Sequence, residues 1–277
     1  MVICDELIYI QLQKTGCTHI ASLLLEIFRG ETIGKHNAAT PEQIATPRFF
    51  LSSIRDPWDW YLSLWTYGVG GRGALMDRLT KRKLVRATRE LFGAKSPVRT
   101  MRNRLLAVRD ELTRDVDAWR NTYDRSDNVA AFRSWMRLMH DPRNAFSLGE
   151  GYADTLIAER FGFMTHRYLI LCCQRLQELT VPGAIGTYEE LRRFDQRNCY
   201  IQQFVRQESL EQSLCEALEH IRPLTTAERK IIFDAKKINK SERKLALRDY
   251  YDRETIELVH QRDRLIVDKF GYRPPQL

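Results

Sequence analysis

The chain has 277 residues, of which 43% are apolar and 29% charged, and this composition is typical of a globular protein with a sizeable core. It has no run of about 18 apolar residues and no basic segment before its first apolar stretch, so we expect neither a membrane-spanning helix nor a secretory signal peptide. The formal net charge is +8, which favours anionic ligands or partners.

Residues 2–65 alternate between apolar runs and helix-like segments. An apolar run at 7–12 leads into a short turn and a helical segment at 20–28. A second apolar run at 49–54 leads into another turn and another helix. Short apolar runs bounded by turn residues are typical of buried strands. The alternation of strand and helix therefore predicts an α/β fold, with a parallel sheet and helices on its faces.

The turn after the first strand has the residue types of an anion-binding loop. It reads Lys14-Thr15-Gly16-Cys17-Thr18 and stands directly before the helical segment. A helix N-terminus presents backbone N–H groups and a positive dipole end, which favours a phosphate or sulfate there. Lys14 adds a full charge, and the hydroxyls of Thr15 and Thr18 add donors. Thr18 could also be the residue that caps the helix.

The second strand is followed by a similar arrangement. Arg55 stands at the end of the strand, and Ser63 follows eight residues later, about two helical turns on. The alternative is a surface ion pair between Arg55 and Asp56, with Ser63 on an ordinary helix face. The aromatic residues of the segment 58–65 are expected in the core. Two anion-binding arrangements predict a ligand with phosphate-like groups at both ends.

Both arrangements resemble motifs of the sulfotransferases that use 3′-phosphoadenosine 5′-phosphosulfate (PAPS). Residues 14–18 resemble that family's 5′-phosphosulfate loop, and Arg55 with Ser63 resembles its 3′-phosphate motif. The resemblance implies that Lys14 contacts the oxygen between phosphate and sulfate, where a fixed cation stabilises the charge that develops in the transition state. It implies PAPS as co-substrate with no metal required. The residues that it assigns to the donor site are Lys14, Thr15, Gly16, Cys17, Thr18, His19, Arg55 and Ser63, with His19 where cytosolic relatives have a Trp that stacks on adenine.

His36 is the candidate base of this site. It follows Lys35 and lies between the two motifs, where cytosolic relatives have a catalytic histidine. An imidazole is suited to take a proton from an acceptor hydroxyl near neutral pH. The alternatives are an ordinary loop histidine at this position and Glu26 as the base. The resemblance thus implies Lys14 and His36 as the catalytic residues.

The middle of the chain predicts a largely helical insertion. A glycine-rich break at 68–73 precedes helical patterns over 74–125 and 130–139, so the insertion spans about 74–140. Residues 72–125 contain 15 Lys and Arg against 7 Asp and Glu, a surplus equal to the whole net charge. This surplus is either a solvated helical face or a surface that attracts an anionic donor or acceptor.

The second half of the chain gives weaker signals. Residues 168–173 could form a strand or a helix, 200–206 predict a strand, and 253–270 predict one amphipathic helix. In the polar run 236–241, Asn239 and Ser241 resemble a loop of the carbohydrate-type and bacterial enzymes, and Lys236 or Lys240 could cover the 3′-phosphate. The six cysteines show no C-x-x-C pair, which predicts a reducing compartment, no structural disulfide and no zinc.

Together these patterns predict one sulfotransferase-like domain over residues 1–277, with a P-loop-NTPase-like central parallel sheet flanked by helices. The expected activity is sulfuryl transfer from PAPS to a hydroxyl or amine of a small-molecule, carbohydrate or lipid acceptor. We expect a cytoplasmic location, an anionic acceptor and no nucleic-acid partner. A nucleotide kinase or NTPase with an atypical loop stays open, although Lys14 precedes Gly16 and no Walker glycine precedes Lys14. A basic nucleic-acid-binding protein is the other alternative.

Overall fold

The computed structural model has an α/β fold with a five-stranded mixed sheet, and it describes residues 1–83, 85, 101–181, 184–236 and 243–277. Residue contacts group the chain into two compact units. The first unit contains Met1–Asp56, Arg167–Arg175 and Phe194–Lys240, and the second contains Pro57–His166, Leu176–Arg193 and Ser241–Leu277. The expectation of a single sulfotransferase-like domain stays a prediction.

The strands are β1 (Val2–Cys4), β2 (Leu7–Ile10), β3 (Gly30–Thr32), β4 (Phe49–Ile54) and β5 (Gln203–Arg206). The first three helices are α1 (Cys17–Ile27), α2 (Pro41–Ile44) and α3 (Pro57–Val69). The later described helices span Ala74–Thr80, Met101–Thr113, Val116–Asn121, Val129–His140, Ala145–Leu148, Ile157–Arg160, Phe163–Cys172, Tyr188–Asn198, Leu210–Glu219, Thr226–Asp234, Leu247–Tyr250, Arg253–Arg262 and Arg264–Phe270. Short 3₁₀ helices span Pro142–Asn144, Tyr152–Asp154, Leu176–Thr180 and Gln207–Ser209. Among the helices of the described residues, none combines the length and the apolar character needed to cross a bilayer.

The sheet has the strand order β3-β1-β2-β4-β5 and lies in the first unit. Strands β2, β4 and β5 are parallel, with Tyr9 opposite Leu51 and Ser53 opposite Val205. Strand β1 is antiparallel to both β2 and β3. The expectation of an all-parallel sheet was therefore wrong at this edge. Only a two-residue turn joins β1 to β2, and so short a connection can join only antiparallel strands.

A continuous apolar cluster packs α1 and the helix Leu210–Glu219 against the sheet in the first unit. Alternate residues of β2 enter this cluster, because successive side chains of a strand point to opposite faces. Gly16 lies where the loop before α1 approaches the second helix, and a Cβ there would stand 2.8 Å from Leu210 Cδ1. Only glycine fits this approach, because Gly16 also has a φ of 77°.

The second unit is mainly helical and has an aromatic core. As expected, the aromatic residues of α3 are buried, among them Trp58, Trp60, Tyr61 and Trp65. The predicted helix at 130–139 is confirmed as Val129–His140. The single helix expected over 253–270 is two helices, which meet at the buried residue Asp263.

Asp263 explains this break in the last helix. Its carboxylate accepts hydrogen bonds from Tyr61 Oη at 2.7 Å and from Thr165 N and Thr165 Oγ1, both at 2.8 Å. Burial raises the pKa of this carboxyl above its ordinary value of 3.8. The apolar periodicity continues past Asp263, so the sequence pattern alone does not show the break.

Candidate functional site

The carboxyl ends of the three parallel strands carry most of the residues that the sequence assigns to the site. The loop 11–16 follows β2, Arg55 follows β4, and the 3₁₀ helix Gln207–Ser209 follows β5. Because β2, β4 and β5 are adjacent and parallel, these segments share one edge of the sheet. Ligands of open α/β sheets bind at this edge.

The start of α1 has the features of an anion-binding helix N-terminus. Gly16 is the N-cap residue, and α1, which is described in full, has no side-chain cap and no acidic residue in its first turn. The N–H groups of His19 and Ile20 bond to Gly16 O, so those of Cys17 and Thr18 are the first two of the helix. Since Gly16 is the cap, Thr18 does not have the capping role considered for it.

A chain of buried hydroxyl groups holds the loop before α1. Thr15 Oγ1 donates to Leu12 O at 2.7 Å and lies 2.6 Å from Ser53 Oγ, which lies 2.6 Å from Tyr9 Oη. A carbonyl oxygen can only accept, so the direction of every bond is fixed: Tyr9 donates to Ser53, Ser53 to Thr15 and Thr15 to Leu12. The hydroxyl of Thr15 thus positions the loop, and its backbone N–H is the group that it can offer an anion.

Arg55 links the two motifs that the sequence predicts. Its guanidinium Nη1 donates a hydrogen bond to Lys14 O at 2.9 Å, although 41 positions separate the two residues. Arg55 is only 9% exposed, and Lys14 is half-buried with a φ of 64°. At the neighbouring strand end, Asp56 N donates to Glu208 Oε1 at 2.5 Å. The site therefore has an arginine fixed against the backbone of the lysine loop.

His36 lies against the same loop. Its Nδ1 is 2.8 Å from Gln11 O, and because that oxygen can only accept, Nδ1 carries the proton. In a neutral imidazole of this tautomer, Nε2 has the lone pair that accepts a proton. Next to it, Lys35 Nζ donates to Thr18 Oγ1 at 3.5 Å. His36 and Lys35 thus join the loop of Lys14 from the segment between β3 and α2.

The backbone conformation distinguishes the two proposed catalytic residues. Among the described residues, four non-glycine residues have a positive φ, and two of them are Lys14 at 64° and His36 at 58°. Such conformations cost energy for residues other than glycine, and they cluster at functional sites. Both residues are therefore held by the surrounding fold and not by local preference.

Cys17 and His19 are both buried at the start of α1. Burial raises the pKa of the Cys17 thiol, although the positive charges of Lys35 and Lys14 oppose this shift. The thiol is therefore neutral and belongs to the apolar cluster, so the contribution of Cys17 to an anion site is its backbone N–H. His19 donates no side-chain surface to solvent at this position, being 4% exposed.

Two groups of predicted residues are not in this constellation of the first unit. Ser63 is a buried residue of α3, which belongs to the second unit. Lys236 follows the helix Thr226–Asp234 and is exposed. Lys240, Asn239 and Ser241 lie outside the described residues.

Sequence reasoning did not assign roles to Tyr9, Ser53 or Lys35. A signal for Ser53 exists, since the pair Ser52-Ser53 interrupts an otherwise apolar strand and two hydroxyls there need buried partners. The partner Tyr9 depends on the register of β2 against β4, which the sequence does not give. Lys35 belongs to an exposed loop, where a lysine is ordinary.

Comparison with known proteins gives no match, whether with family models, curated proteins or solved structures. The functional argument therefore rests on the residues of the site. Taken together, these are a helix N-terminus, a lysine, a fixed arginine and a histidine of defined tautomer. This set can bind a ligand with two anionic groups and accept a proton beside it.

Proposed function

We propose that the chain is a sulfotransferase that moves the sulfuryl group of PAPS to an acceptor hydroxyl or amine. The observation that carries the proposal is the hydrogen bond from Arg55 Nη1 to Lys14 O at 2.9 Å. It joins the residues that resemble the 3′-phosphate motif to those that resemble the 5′-phosphosulfate loop. A donor with anionic groups at both ends of an adenosine needs both kinds of residue at one edge of the sheet.

The donor is proposed to bind along the carboxyl ends of β2 and β4. Its 5′-phosphosulfate would receive hydrogen bonds from the N–H groups of Cys17 and Thr18, and Lys14 would supply charge. The 3′-phosphate would lie against Arg55 and Ser63. The order of strand, loop and helix from β2 to α1 supports a P-loop-NTPase-like arrangement for the parallel part of the sheet.

The proposed reaction is an in-line displacement at sulfur. The acceptor oxygen or nitrogen forms a bond to sulfur while the bond from sulfur to the bridging oxygen breaks, leaving 3′-phosphoadenosine 5′-phosphate (PAP) with the electron pair. Lys14 would stabilise the charge on that bridging oxygen, as cations do in phosphoryl transfer. The acceptor proton would pass to His36 Nε2, whose lone pair is fixed by the bond from Nδ1 to Gln11 O.

The acceptor class is the broadest part of the proposal. A small molecule, a carbohydrate or a lipid with a hydroxyl or amine fits the chemistry. The basic surplus of residues 72–125 favours an anionic acceptor. The same proposal places the reaction in the cytoplasm, where the six cysteines would stay reduced.

Transfer of label from ³⁵S-PAPS to a panel of acceptor classes tests the proposal. We expect wild-type protein to label at least one class and Lys14→Ala to abolish the transfer. Lys230→Ala, at an exposed position on the helix Thr226–Asp234 in the same unit, is the matched control and should retain activity. Transfer by Lys14→Ala at the wild-type rate would refute the role of the lysine.

The same preparation separates the two rival functions. Magnesium-dependent turnover of ATP without sulfuryl transfer would favour a nucleotide kinase or NTPase. Salt-dependent binding of arbitrary DNA without any nucleotide effect would favour a nucleic-acid-binding protein. Either result, together with no binding of PAP, would overturn the proposal.

A further inference from the structure

Three potential metal ligands meet near the start of β5, outside the loop of Lys14. They are Cys173, Asp195 and Cys199, and one ligand atom from each lies within 4.8 Å of the others. All three residues belong to the first unit. The cluster lies outside the site described for PAPS, so it needs an explanation of its own.

Two features of the backbone bring the ligands together. Cys199 N bonds to Asp195 O at 2.9 Å, which is the helical spacing of four residues and directs both side chains to one face. Cys173 pairs with Cys199 in an isolated antiparallel bridge, flanked by bonds from Gln174 N to Asn198 O and from Tyr200 N to Cys172 O. This is the non-hydrogen-bonded type of pair, in which the two side chains stand closest.

The spacing of the ligand atoms suits a tetrahedral metal. Zinc has bonds of about 2.3 Å to sulfur and about 2.0 Å to carboxylate oxygen, so its tetrahedral ligands lie about 3.5 to 3.8 Å apart. Cys173 Sγ is 3.8 Å from Asp195 Oδ1, and the largest separation in the cluster is 4.8 Å. Shifts of about 1 Å in the side chains would therefore complete the geometry.

A tyrosine orients the carboxylate of the cluster. Tyr168 Oη donates to Asp195 Oδ1 at 2.6 Å and to Cys199 Sγ at 3.3 Å. Hydrogen bonds of this kind to metal ligands hold them in place and are themselves important for affinity. Asp195 is buried, and the half-buried Cys199 gives the cluster a route to solvent.

The protonation of the thiols gives the cluster a reason to prefer a cation. A hydrogen bond with Cys199 and burial raise the pKa of Cys173 well above its ordinary value. Neutral thiols are poor nucleophiles, which disfavours a redox role. A divalent cation reverses this, because it deprotonates a coordinating thiol outright.

We propose that Cys173, Asp195 and Cys199 bind one thiophilic divalent cation, for which Zn²⁺ is the natural candidate, with water completing the coordination. Binding releases the two thiol protons to solvent and forms two metal–sulfur bonds and one metal–oxygen bond. The ion joins the segment after the helix Phe163–Cys172 to the end of the helix Tyr188–Asn198, just before β5. This departs from the sequence-based expectation of no zinc, which considered only the linear spacing of the cysteines.

Titration of the reduced, full-length protein with Co²⁺ under anaerobic conditions tests the proposal. We expect a thiolate-to-cobalt charge-transfer absorption that saturates at one equivalent and disappears when Zn²⁺ is added. Cys173→Ser, Cys199→Ser and Asp195→Asn should each lose tight binding, and Tyr168→Phe should weaken it by about 10- to 100-fold. Cys172→Ser is the matched control, since Cys172 is a buried neighbour whose thiol contacts Ser52 Oγ at 3.8 Å, and it should bind as wild type does.

A second measurement on the wild-type protein makes the test independent of variants that fail to fold. Zn²⁺ should protect Cys199 from alkylation, measured by peptide mass spectrometry. No charge-transfer absorption in the folded, reduced protein would overturn the proposal, as would equal binding by a Cys173→Ser/Cys199→Ser double variant. A Cys173–Cys199 disulfide in the oxidised protein, with no metal binding in the reduced one, would replace it with a redox pair.

Discussion

Removing one hydroxyl from the buried chain behind the candidate loop should both destabilise the protein and loosen the loop. Ser53→Ala deletes the oxygen that accepts from Tyr9 and donates to Thr15. Tyr9 is fully buried, so its hydroxyl would lose its acceptor in a place where water cannot replace it. Leaving one buried donor unsatisfied costs about 1–3 kcal/mol, whereas Thr15 keeps its bond to Leu12 O. We expect Ser53→Ala to lower the free energy of unfolding by about 2 kcal/mol.

A double-mutant cycle distinguishes this mechanism from a general loss of packing. Tyr9→Phe alone removes the donor but leaves Ser53 bonded to Thr15, so its cost should be about 0.5–1.5 kcal/mol. In the double variant neither group is left unsatisfied, and the combined cost should fall about 1 kcal/mol short of the sum. Equilibrium urea unfolding followed by circular dichroism measures all four proteins.

The neighbouring serine provides the control for this cycle. Ser52 Oγ donates to Ile10 O at 2.9 Å and has no place in the chain from Tyr9 to Thr15. Ser52→Ala combined with Tyr9→Phe should therefore be additive within about 0.5 kcal/mol. Additivity of Ser53→Ala with Tyr9→Phe would refute the directed chain, because it would mean that the two hydroxyls do not act on each other.

Three further expectations concern the loop, the arginine and the second unit. Gly16→Ala should lower the free energy of unfolding by at least about 1–2 kcal/mol, because alanine is strained at a φ of 77° and its Cβ would meet Leu210; an unchanged urea midpoint would contradict this. Arg55→Lys should weaken PAP about tenfold and leave AMP nearly unaffected in calorimetry, because lysine lacks the planar fork that binds a phosphate while held to a carbonyl; equal losses for both nucleotides would contradict a 3′-phosphate role. The raised pKa of Asp263 means that the folded state holds this proton more tightly than the unfolded chain, so its contribution to stability falls as pH rises above 3.8 and through the folded pKa. Urea unfolding of wild type and Asp263→Asn should show that difference growing more unfavourable to wild type between about pH 4 and about pH 7, and a constant difference would refute it.

The central strands and the anion loop could be predicted because their signals are local. The apolar run of β4 ends where the prediction placed it, and Lys14 and Arg55 follow neighbouring strands. Strands β1 and β3 each have three residues, and β3 is fully exposed, so neither carries the apolar pattern that marks a buried strand.

The contacts that were not predicted depend on long-range register or on a buried polar partner. The hydroxyl chain requires Tyr9 and Ser53 on the same face of adjacent strands, and the cysteine pair requires a bridge between residues 173 and 199. The break of the last helix at Asp263 depends on Tyr61 and Thr165, about 200 and 100 positions away. A single sequence shows each residue type but not which distant residue pairs with it.

Calorimetric binding of PAP, with AMP as the comparison, tests the proposed donor site most directly. AMP lacks the 3′-phosphate, so the two nucleotides differ in the group assigned to Arg55 and Ser63. We expect PAP to bind wild-type protein and Lys230→Ala equally, AMP to bind at least about tenfold more weakly, and Lys14→Ala to weaken both. Absence of PAP binding to the folded wild-type protein, or equal affinity for PAP and AMP, would contradict the account.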